Sequence, residues 1–386
     1  MAAPTESRRL YQLDSLRGIA ALCVVLHHLF WLWKDEVLSK SPASFRGLID
    51  LLLQPISAGH EAVILFFILS GLVLSIPAQV GKPQTYPVFL TRRIFRIYFP
   101  YLVAVMLAVI GNSLLCGSVT ISPWFQKFWL TPVHRSDVLQ HIAFLGSFNT
   151  DQFDPPVWSL VHEMRISLVF PFLCWVALAI KPARLLLISF FISVACIFYA
   201  VRFPQYYSYL CSLHYIAFFV TGICIFYYSR QIGEHFVRWS RDSKYLLLGV
   251  AVLIYSYPGK LLTIDKTLAQ HIDPQLAVDW TTAIGASLFI VISLNSIRAG
   301  KILLSKPALW LGEMSYSLYL IHFVVLLVLV HLLYGKLNIT LLLFICLIAS
   351  LAVARVFFVA VERPCMNLGR RLSKLMTRKL QPVATL

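Results

Sequence analysis

An arginine and a histidine lie eleven residues apart in the first long apolar stretch of the chain, at Arg17 and His28. In an α-helix this spacing is three turns plus about 20°, so both side chains project from one face, about 16.5 Å apart along the axis. A guanidinium binds phosphate and an imidazole transfers protons. The pair therefore fits a long ligand with phosphate at one end and a reactive carbonyl at the other, such as an acyl-CoA with its pantetheine arm. The alternative is a surface anchor at Arg17 and a packing hydrogen bond at His28.

Two further arginines, Arg93 and Arg96, lie three residues apart where a later apolar stretch begins. In an α-helix that spacing places both on one face, and two guanidinium groups on one face suit a diphosphate or a 3′-phosphate. A basic cluster at the end of a membrane helix is also a common signal of membrane orientation. Phosphate binding and orientation both remain open for these arginines.

A carboxylate, Glu163, follows Ser159 by four residues, so the two share a helix face. Two prolines just before them set the first helical turn, which places Glu163 about one and a half turns into the membrane, at a depth comparable with His28. A carboxylate at that position can orient an imidazole or accept a proton. A structural pair with Arg165 is the alternative, although residues two apart do not face each other.

A polar stripe crosses the ninth long apolar stretch at Ser315, Tyr319 and His322. His322 is near the middle of that stretch, where an ionisable side chain is costly and marks a candidate functional site. Hydrogen bonding between packed helices is the alternative role for this stripe.

The elements that must hold these side chains are membrane helices. Of the 386 residues, 59% are hydrophobic and 13% are charged, whereas a soluble domain has about 25% charged residues. Many apolar runs approach the ~20 residues that span a bilayer, and each is predicted to be helical because lipid offers the backbone no hydrogen bonds. The sequence predicts an all-α polytopic membrane protein of about ten spans. They are 18–33, 62–80, 97–115, 157–180, 184–201, 210–229, 244–258, 277–297, 309–333 and 338–361.

Basic residues indicate the orientation of these spans. If the N-terminus is cytoplasmic, the cytoplasmic segments carry more than twice as many Lys and Arg residues as the outer segments, as the positive-inside rule requires. We therefore expect two cytoplasmic termini and one domain over 1–386, ending in a basic cytoplasmic tail at 362–386. Orientation also explains the net charge of +16, so no nucleic-acid partner is expected. The eight scattered cysteines contain no CxxC and support neither a metal site nor a disulfide framework.

Six motifs follow one another between residues 13 and 364. They are Leu13-Asp14-x-Leu-Arg17-Gly with His28 after it, Phe66-Phe67-Ile-Leu-Ser70-Gly71, Arg92-Arg93-x-x-Arg96-Ile-Tyr98-x-Pro100, Trp158-Ser159-Leu-x-x-Glu163, Ser315-Tyr316-x-x-Tyr319-Leu-x-His322 and Val361-Glu362-Arg363-Pro364. In this order the chain resembles the membrane acyltransferase-3 family over nearly its whole length. Ser15 stands where the family has glycine, which is a mild change.

The resemblance implies a ten-helix bundle that moves acyl groups, usually acetyl from acetyl-CoA, onto sugars and other hydroxyl-bearing molecules. It implies that the first-span arginine and histidine are needed for activity and that the paired arginines serve CoA. Many bacterial relatives append an esterase-like domain, which is not expected in this chain. The candidate site residues are His28 and Glu163 for catalysis, Arg17, Arg93 and Arg96 for acyl-CoA, and Asp14, Ser159, Tyr319 and His322 as further candidates.

The expected function is that of a membrane O-acyltransferase in a bacterial cytoplasmic (inner) membrane. Acyl-CoA is a co-substrate, the acceptor is a hydroxyl of a saccharide or glycoconjugate, and no cofactor is bound permanently. His28 is a general base or carries the acyl group itself, and Glu163 holds its tautomer. The alternative is a transporter or flippase for a lipid-linked saccharide or small hydrophobic molecule, although the broken helices and inverted repeats typical of transporters are not evident.

Overall fold

The computed structural model describes residues 6–117, 119, 121–261 and 266–380. Every regular element in these ranges is a helix, which confirms the all-α class predicted from the apolar runs. The first five residues, and residues 381–386 at the end of the predicted basic tail, lie outside the described ranges. The cytoplasmic placement of the termini stays a prediction from the charge pattern.

The helices of eight residues or more are numbered in chain order. They are α1 (Glu6–Glu36), α2 (Ala43–Leu53), α3 (Gly59–Gln79), α4 (Tyr86–Arg93), α5 (Phe99–Leu115), α6 (Arg135–Ala143), α7 (Trp158–Ile180), α8 (Pro182–Arg202), α9 (Tyr207–Tyr227), α10 (Ser229–Arg238), α11 (Arg241–Ser256), α12 (Pro274–Asn295), α13 (Lys306–Glu313), α14 (Ser315–Leu333), α15 (Ile339–Phe357) and α16 (Arg363–Leu380). Two π-helical segments, Ile94–Tyr98 and Phe358–Glu362, join α4 to α5 and α15 to α16.

Nine helical stretches within the described residues are long and apolar enough to cross a membrane. They match nine of the ten predicted spans, and the remaining predicted span, 244–258, is the 16-residue helix α11. The predicted span 309–333 is two helices, α13 and α14, that meet at Met314. The nine stretches are Tyr11–Lys40, Ala43–Gln79, Tyr86–Leu115, Pro155–Ile180, Pro182–Arg202, Pro204–Tyr227, Pro274–Asn295, Ser315–Leu333 and Ile339–Thr377.

Contacts divide the chain into two compact units. The first unit consists of Met1–Val24, Asp50–Pro83 and Val169–Ser315, and the second of Val25–Ile49, Gln84–Leu168 and Tyr316–Leu386. Helix α1 contributes to both units, because the division falls between Val24 and Val25.

Close helix packing at glycines organises the first unit. A Cβ atom at Gly71 of α3 would collide with the backbone of Phe219 in α9, and one at Gly222 of α9 would collide with the backbone of Ile68 in α3. Small residues allow helix backbones to approach in membranes, where lipid gives apolar side chains no incentive to associate. The motif glycine Gly71 is therefore required by this helix contact.

Both π-helical segments lie in the second unit. Helix α16 packs along α4 and Ile94–Tyr98, where Gly369 lies so close to Phe95 that a Cβ atom would be 2.6 Å from the Phe95 Cβ. π-Helical turns inside α-helices are rare and are frequent at functional sites. Here the two segments contain Arg96 and Glu362, both from motifs singled out in the sequence.

Candidate active site

Two histidines are paired in the second unit. His28 Nδ1 on α1 lies 3.1 Å from His322 Nε2 on α14, and His322 Nδ1 lies 3.0 Å from the carbonyl oxygen of Leu318. A carbonyl only accepts, so His322 Nδ1 carries a proton and, in the neutral ring, Nε2 is a bare acceptor. His28 must then donate from Nδ1, which leaves the lone pair of the neutral His28 ring on Nε2. The structure therefore selects the tautomer in which His28 Nε2 is the basic and nucleophilic nitrogen.

Aromatic rings surround the His28 imidazole. The ring of Trp124 stacks on it at a centroid distance of 6.2 Å, and Phe323 contacts it edge-on at 4.9 Å. The neighbouring His27 contacts the ring of Trp31 at 6.0 Å. The two adjacent histidines thus have different surroundings, and the hydrogen bond to His322 belongs to His28, the one that the sequence aligned with Arg17.

A hydroxyl pair lies one helical turn from this dyad. Tyr319 Oη is 2.7 Å from the carbonyl oxygen of Pro156 and 2.7 Å from Ser159 Oγ. Tyrosine has one hydroxyl proton, which goes to the Pro156 carbonyl, so Ser159 donates to Tyr319. The ring centroids of Tyr319 and His322 are 6.2 Å apart. The structure thus brings three sequence-predicted candidates, Ser159, Tyr319 and His322, into one region of the second unit.

Glu163 forms an ion pair with Arg93. Glu163 Oε1 lies 2.6 Å from Arg93 Nη2, and Arg93 Nε donates to Ser167 Oγ at 3.0 Å. The Arg93 side chain is only 7% exposed, so its charge is compensated inside the protein. This ion pair joins α4 to α7, and it was not predicted from the sequence. The sequence analysis instead expected Glu163 to orient His28 and Arg93 to bind phosphate. Arg165, the other candidate partner, donates to the carbonyl oxygens of Leu145 and Gly146.

Arg96 has different surroundings from Arg93, because the π-helical segment Ile94–Tyr98 replaces the α-helical spacing assumed in the sequence analysis. Arg96 is half-buried and within electrostatic range of Glu362. The Glu362 carboxylate accepts a 2.5 Å hydrogen bond from Ser317 of α14. The closing Val-Glu-Arg-Pro motif is thereby tied to the helix that carries His322.

In the first unit, Arg17 extends from α1 towards α3. Its Nη2 donates to Ser70 Oγ at 3.4 Å, and its Nη1 lies 3.9 Å from the carboxylate of Asp14 one turn earlier. Arg17 and Ser70 come from separate motifs in the sequence. Arg17 and His28 both lie on helix α1.

Two buried ionisable groups lie in the segments between the long apolar stretches. Asp154 is 0% exposed, and neither carboxyl oxygen has a hydrogen-bond partner among the described residues. Burial raises the pKa of the Asp154 carboxyl well above its usual range. Burial also lowers the pKa of the His141 imidazole on α6, whose Nδ1 donates to a backbone carbonyl. Burial therefore disfavours the charged form of both groups.

One group of polar side chains in the first unit was missed entirely. His60, Ser193, His214 and Asp279 come from four different helices and are hydrogen-bonded or paired in series. No short motif connects them, and the predicted second span, 62–80, began two residues after His60. The one signal in the sequence that could have indicated this group was the acidic residue Asp279, which lies near the start of the predicted span 277–297. Among the described residues, no group of three or more His, Cys, Asp or Glu side chains is arranged to hold a metal ion.

Comparison with the models of known protein families identifies the family of this chain. The model of one family, described as an acyltransferase domain, matches residues 10–359. The chain belongs to the acyltransferase-3 family. Searches of curated proteins and of solved structures returned no match. The acyltransferase is therefore a multi-pass integral membrane protein by its helices and a transferase of acyl groups by its family.

Proposed function

We propose that this acyltransferase moves an acyl group, in the simplest case acetyl, from acyl-CoA to a hydroxyl group of a saccharide or glycoconjugate in the bacterial inner membrane. The observation that carries the proposal is the His28–His322 hydrogen bond, because it presents His28 Nε2 as a base or nucleophile. Family membership supports acyl transfer over transport as the overall activity.

The dyad supports two routes for the acyl group. In the first, His28 Nε2 takes the proton of the acceptor hydroxyl while the hydroxyl oxygen bonds to the acyl carbon and the thioester C–S bond breaks. In the second, Nε2 itself bonds to the acyl carbon, CoA thiolate leaves, and the acceptor then attacks the acyl-imidazole. Either route makes the His28 ring cationic, and its Nδ1–H bond to neutral His322 stabilises that charge.

The arginines supply phosphate binding for CoA. Arg17 and Arg96 are half-buried, and a guanidinium in partial contact with solvent is suited to a phosphate. Arg93 is already compensated by Glu163, so we propose that it supports the same function by holding α4 on α7, next to Arg96. Direct contact of Arg93 with phosphate is the alternative.

Variants of the three charged residues separate these roles. Arg96→Ala is expected to weaken acetyl-CoA binding by about 1.5–3 kcal/mol, the value of a charged hydrogen bond. Arg93→Met alone removes the charge that compensates Glu163 in the ion pair and is expected to cost about 3–5 kcal/mol of stability. The double variant Arg93→Met/Glu163→Met should recover stability and retain acetyl-CoA binding. A stable double variant that no longer binds acetyl-CoA would assign Arg93 to phosphate directly.

The test of the proposed function uses the full chain purified into lipid nanodiscs. Radiolabelled acetyl-CoA is supplied with a panel of hydroxyl acceptors, namely glucose, N-acetylglucosamine and glycerol, and thiol release and labelled ester are measured. Acceptor-dependent CoA release that is lost in His28→Ala is the expected result. Trapping of label on the protein without acceptor distinguishes the acyl-histidine route from direct transfer. Folded protein that releases no CoA with any acceptor would refute the proposal.

A further inference from the structure

Two tryptophans lie beside His28 in the second unit and take no part in the proposed proton or acyl transfer. Trp31 follows His28 by three residues on α1, so the two side chains are neighbours on the helix surface. The indole of Trp124, from the segment between α5 and α6, lies nearly parallel to the His28 imidazole, with an angle of 19° between the rings. The indoles of Trp31 and Trp124 contact each other at a centroid distance of 6.0 Å. The three rings thus form one aromatic surface that begins at His28.

Trp124 is held in place by the short helical turn Pro123–Gln126. Phe125 in this turn and Phe128 just after it are 1% and 2% exposed. Phe128 packs edge-on against Phe323 of α14 at a centroid distance of 5.0 Å, and Phe323 also contacts the Trp124 indole edge-on at 6.0 Å. The buried phenylalanines anchor the turn, so the Trp124 ring is already oriented and loses little conformational freedom when a ligand binds.

Both indoles are accessible, unlike these phenylalanines. Trp31 is 42% exposed and Trp124 is half-buried, so a ligand can rest on the aromatic surface while one end of it reaches His28. Three charged residues, 34–36, follow Trp31 at the end of α1. The aromatic surface therefore lies where an apolar helix becomes polar, and it suits a ligand that has both an apolar face and polar groups.

A pyranose ring has these properties. The C–H groups on one face of the sugar ring carry a small positive charge, and the face of an indole is the negative side of its quadrupole. The hydroxyl groups lie around the rim of the sugar, where they stay in contact with water and polar side chains. A sugar that rests on the indoles can therefore direct one hydroxyl towards the adjacent imidazole. An acyl chain has no hydroxyl groups, and glycerol has hydroxyl groups but no ring.

Tryptophans near the end of a membrane helix also anchor it in the bilayer interface. Such an anchor directs its ring to the lipid headgroups and needs no contact with ionisable side chains. The ring of Trp31 instead contacts the indole of Trp124 and the imidazole of His27, both at a centroid distance of 6.0 Å. The indole of Trp124 in turn lies among the rings of His28, Phe128 and Phe323. These contacts favour a role at the proposed active site.

We propose that the indoles of Trp31 and Trp124 bind the pyranose ring of the acceptor and hold one of its hydroxyl groups at His28. The inference rests on the proposed function, since it requires a saccharide acceptor that reacts at His28. Trp31 supplies the more accessible face, and Trp124 connects that face to the imidazole. The two tryptophans thereby select cyclic acceptors over linear polyols and leave proton transfer to the histidine.

The experiment measures ester formation by the full chain in lipid nanodiscs, with a separate KM for glucose, N-acetylglucosamine, glycerol and acetyl-CoA. Trp31→Ala is expected to raise the KM for both sugars about 2- to 12-fold, the factor that corresponds to one lost ring-stacking contact. The KM for glycerol should not change, because glycerol has no ring face. The KM for acetyl-CoA should not change either, because the arginines bind this substrate. Trp31→Phe keeps an aromatic face and should recover part of the affinity for sugars.

Two further variants complete the comparison. Trp124→Phe keeps a ring beside His28 but reduces the aromatic surface, so it should also raise the KM for the sugars and not that for glycerol. Trp175, a tryptophan of α7 that is 64% exposed and lies in the first unit, provides the matched control. Trp175→Ala should leave all four KM values as in the wild type.

An unchanged KM for both sugars in folded Trp31→Ala would overturn the inference and leave the proposed function in place. An equal rise in KM for sugars and glycerol would also overturn it, as a loss of bilayer anchoring that disturbs the whole site. A rise confined to acetyl-CoA would assign the indoles to the donor instead. A wild type that acylates glycerol but neither sugar would overturn the inference while acyl transfer to a hydroxyl still holds. A wild type that releases no CoA with any acceptor would overturn the proposed function itself.

Discussion

The His28–His322 hydrogen bond leads to a quantitative prediction for His322→Phe. This variant keeps a ring of similar size on α14 but removes the acceptor of the His28 Nδ1–H bond, which is 3.1 Å long. The cost falls mainly on the transition state, because the bond is stronger when His28 is cationic. A hydrogen bond to a charged group contributes about 1.5–3 kcal/mol.

At about 1.36 kcal/mol per factor of ten, His322→Phe should lower kcat by about 10- to 150-fold. The KM for acetyl-CoA should change little, since His322 is not among the groups proposed to bind phosphate. His322→Gln offers a side-chain oxygen as acceptor and should recover part of the loss. His28→Gln, which removes the reacting nitrogen itself, should be far less active than either.

The assay is ester formation per folded molecule in lipid nanodiscs, with folding checked by thermal unfolding in the same nanodiscs. A kcat for His322→Phe within about twofold of wild type would refute the tautomer argument, because a lost charged hydrogen bond cannot cost so little. Equal losses in the Phe and Gln variants would indicate that ring packing, and not the acceptor nitrogen, is the contribution of His322.

Three further predictions concern single residues. His27→Gln should retain substantial transfer activity while His28→Gln retains almost none, in matched assays; the reverse result would mean that the helix phase is wrong. Folding raises the pKa of the Asp154 carboxyl. The contribution of this carboxyl to the free energy of unfolding is therefore fully present at a pH below its unfolded-state pKa of about 3.9. It is lost as the pH rises towards the folded-state pKa. Asp154→Asn should therefore gain in melting temperature relative to wild type as pH rises from about 4 to 7, and a pH-independent difference would contradict neutral burial. Gly71→Ala should lower the melting temperature because the added Cβ would collide with the backbone of the facing helix α9. Gly249→Ala on α11 is the control and should be neutral or stabilising, because the space around Gly249 is open. Equal effects of the two substitutions would refute the close approach of α3 and α9.

Much of the fold followed from local properties of the sequence. Apolar runs of bilayer length predicted ten helical spans because lipid leaves a spanning backbone no other way to satisfy its hydrogen bonds. Nine of the ten are long apolar helical stretches among the residues that the structure describes. The 100° rotation per residue separated His28 from His27 on α1, and the observed contacts of the two rings differ accordingly. Polar residues inside apolar runs were singled out because they are costly in a membrane, and one of them, His322, is hydrogen-bonded to His28.

Only the tertiary structure decided which of these side chains meet. Helical periodicity gives the direction of a side chain around its own axis but not which neighbouring helix lies there. Glu163 was therefore assigned to His28 although Arg93 is its observed partner, and the π-helical segment that separates the surroundings of Arg93 and Arg96 has no signature in residue spacing. The same reason explains why Asp279 was missed: its partners come from helices distant in sequence, and their hydrogen bonds exist only once those helices pack.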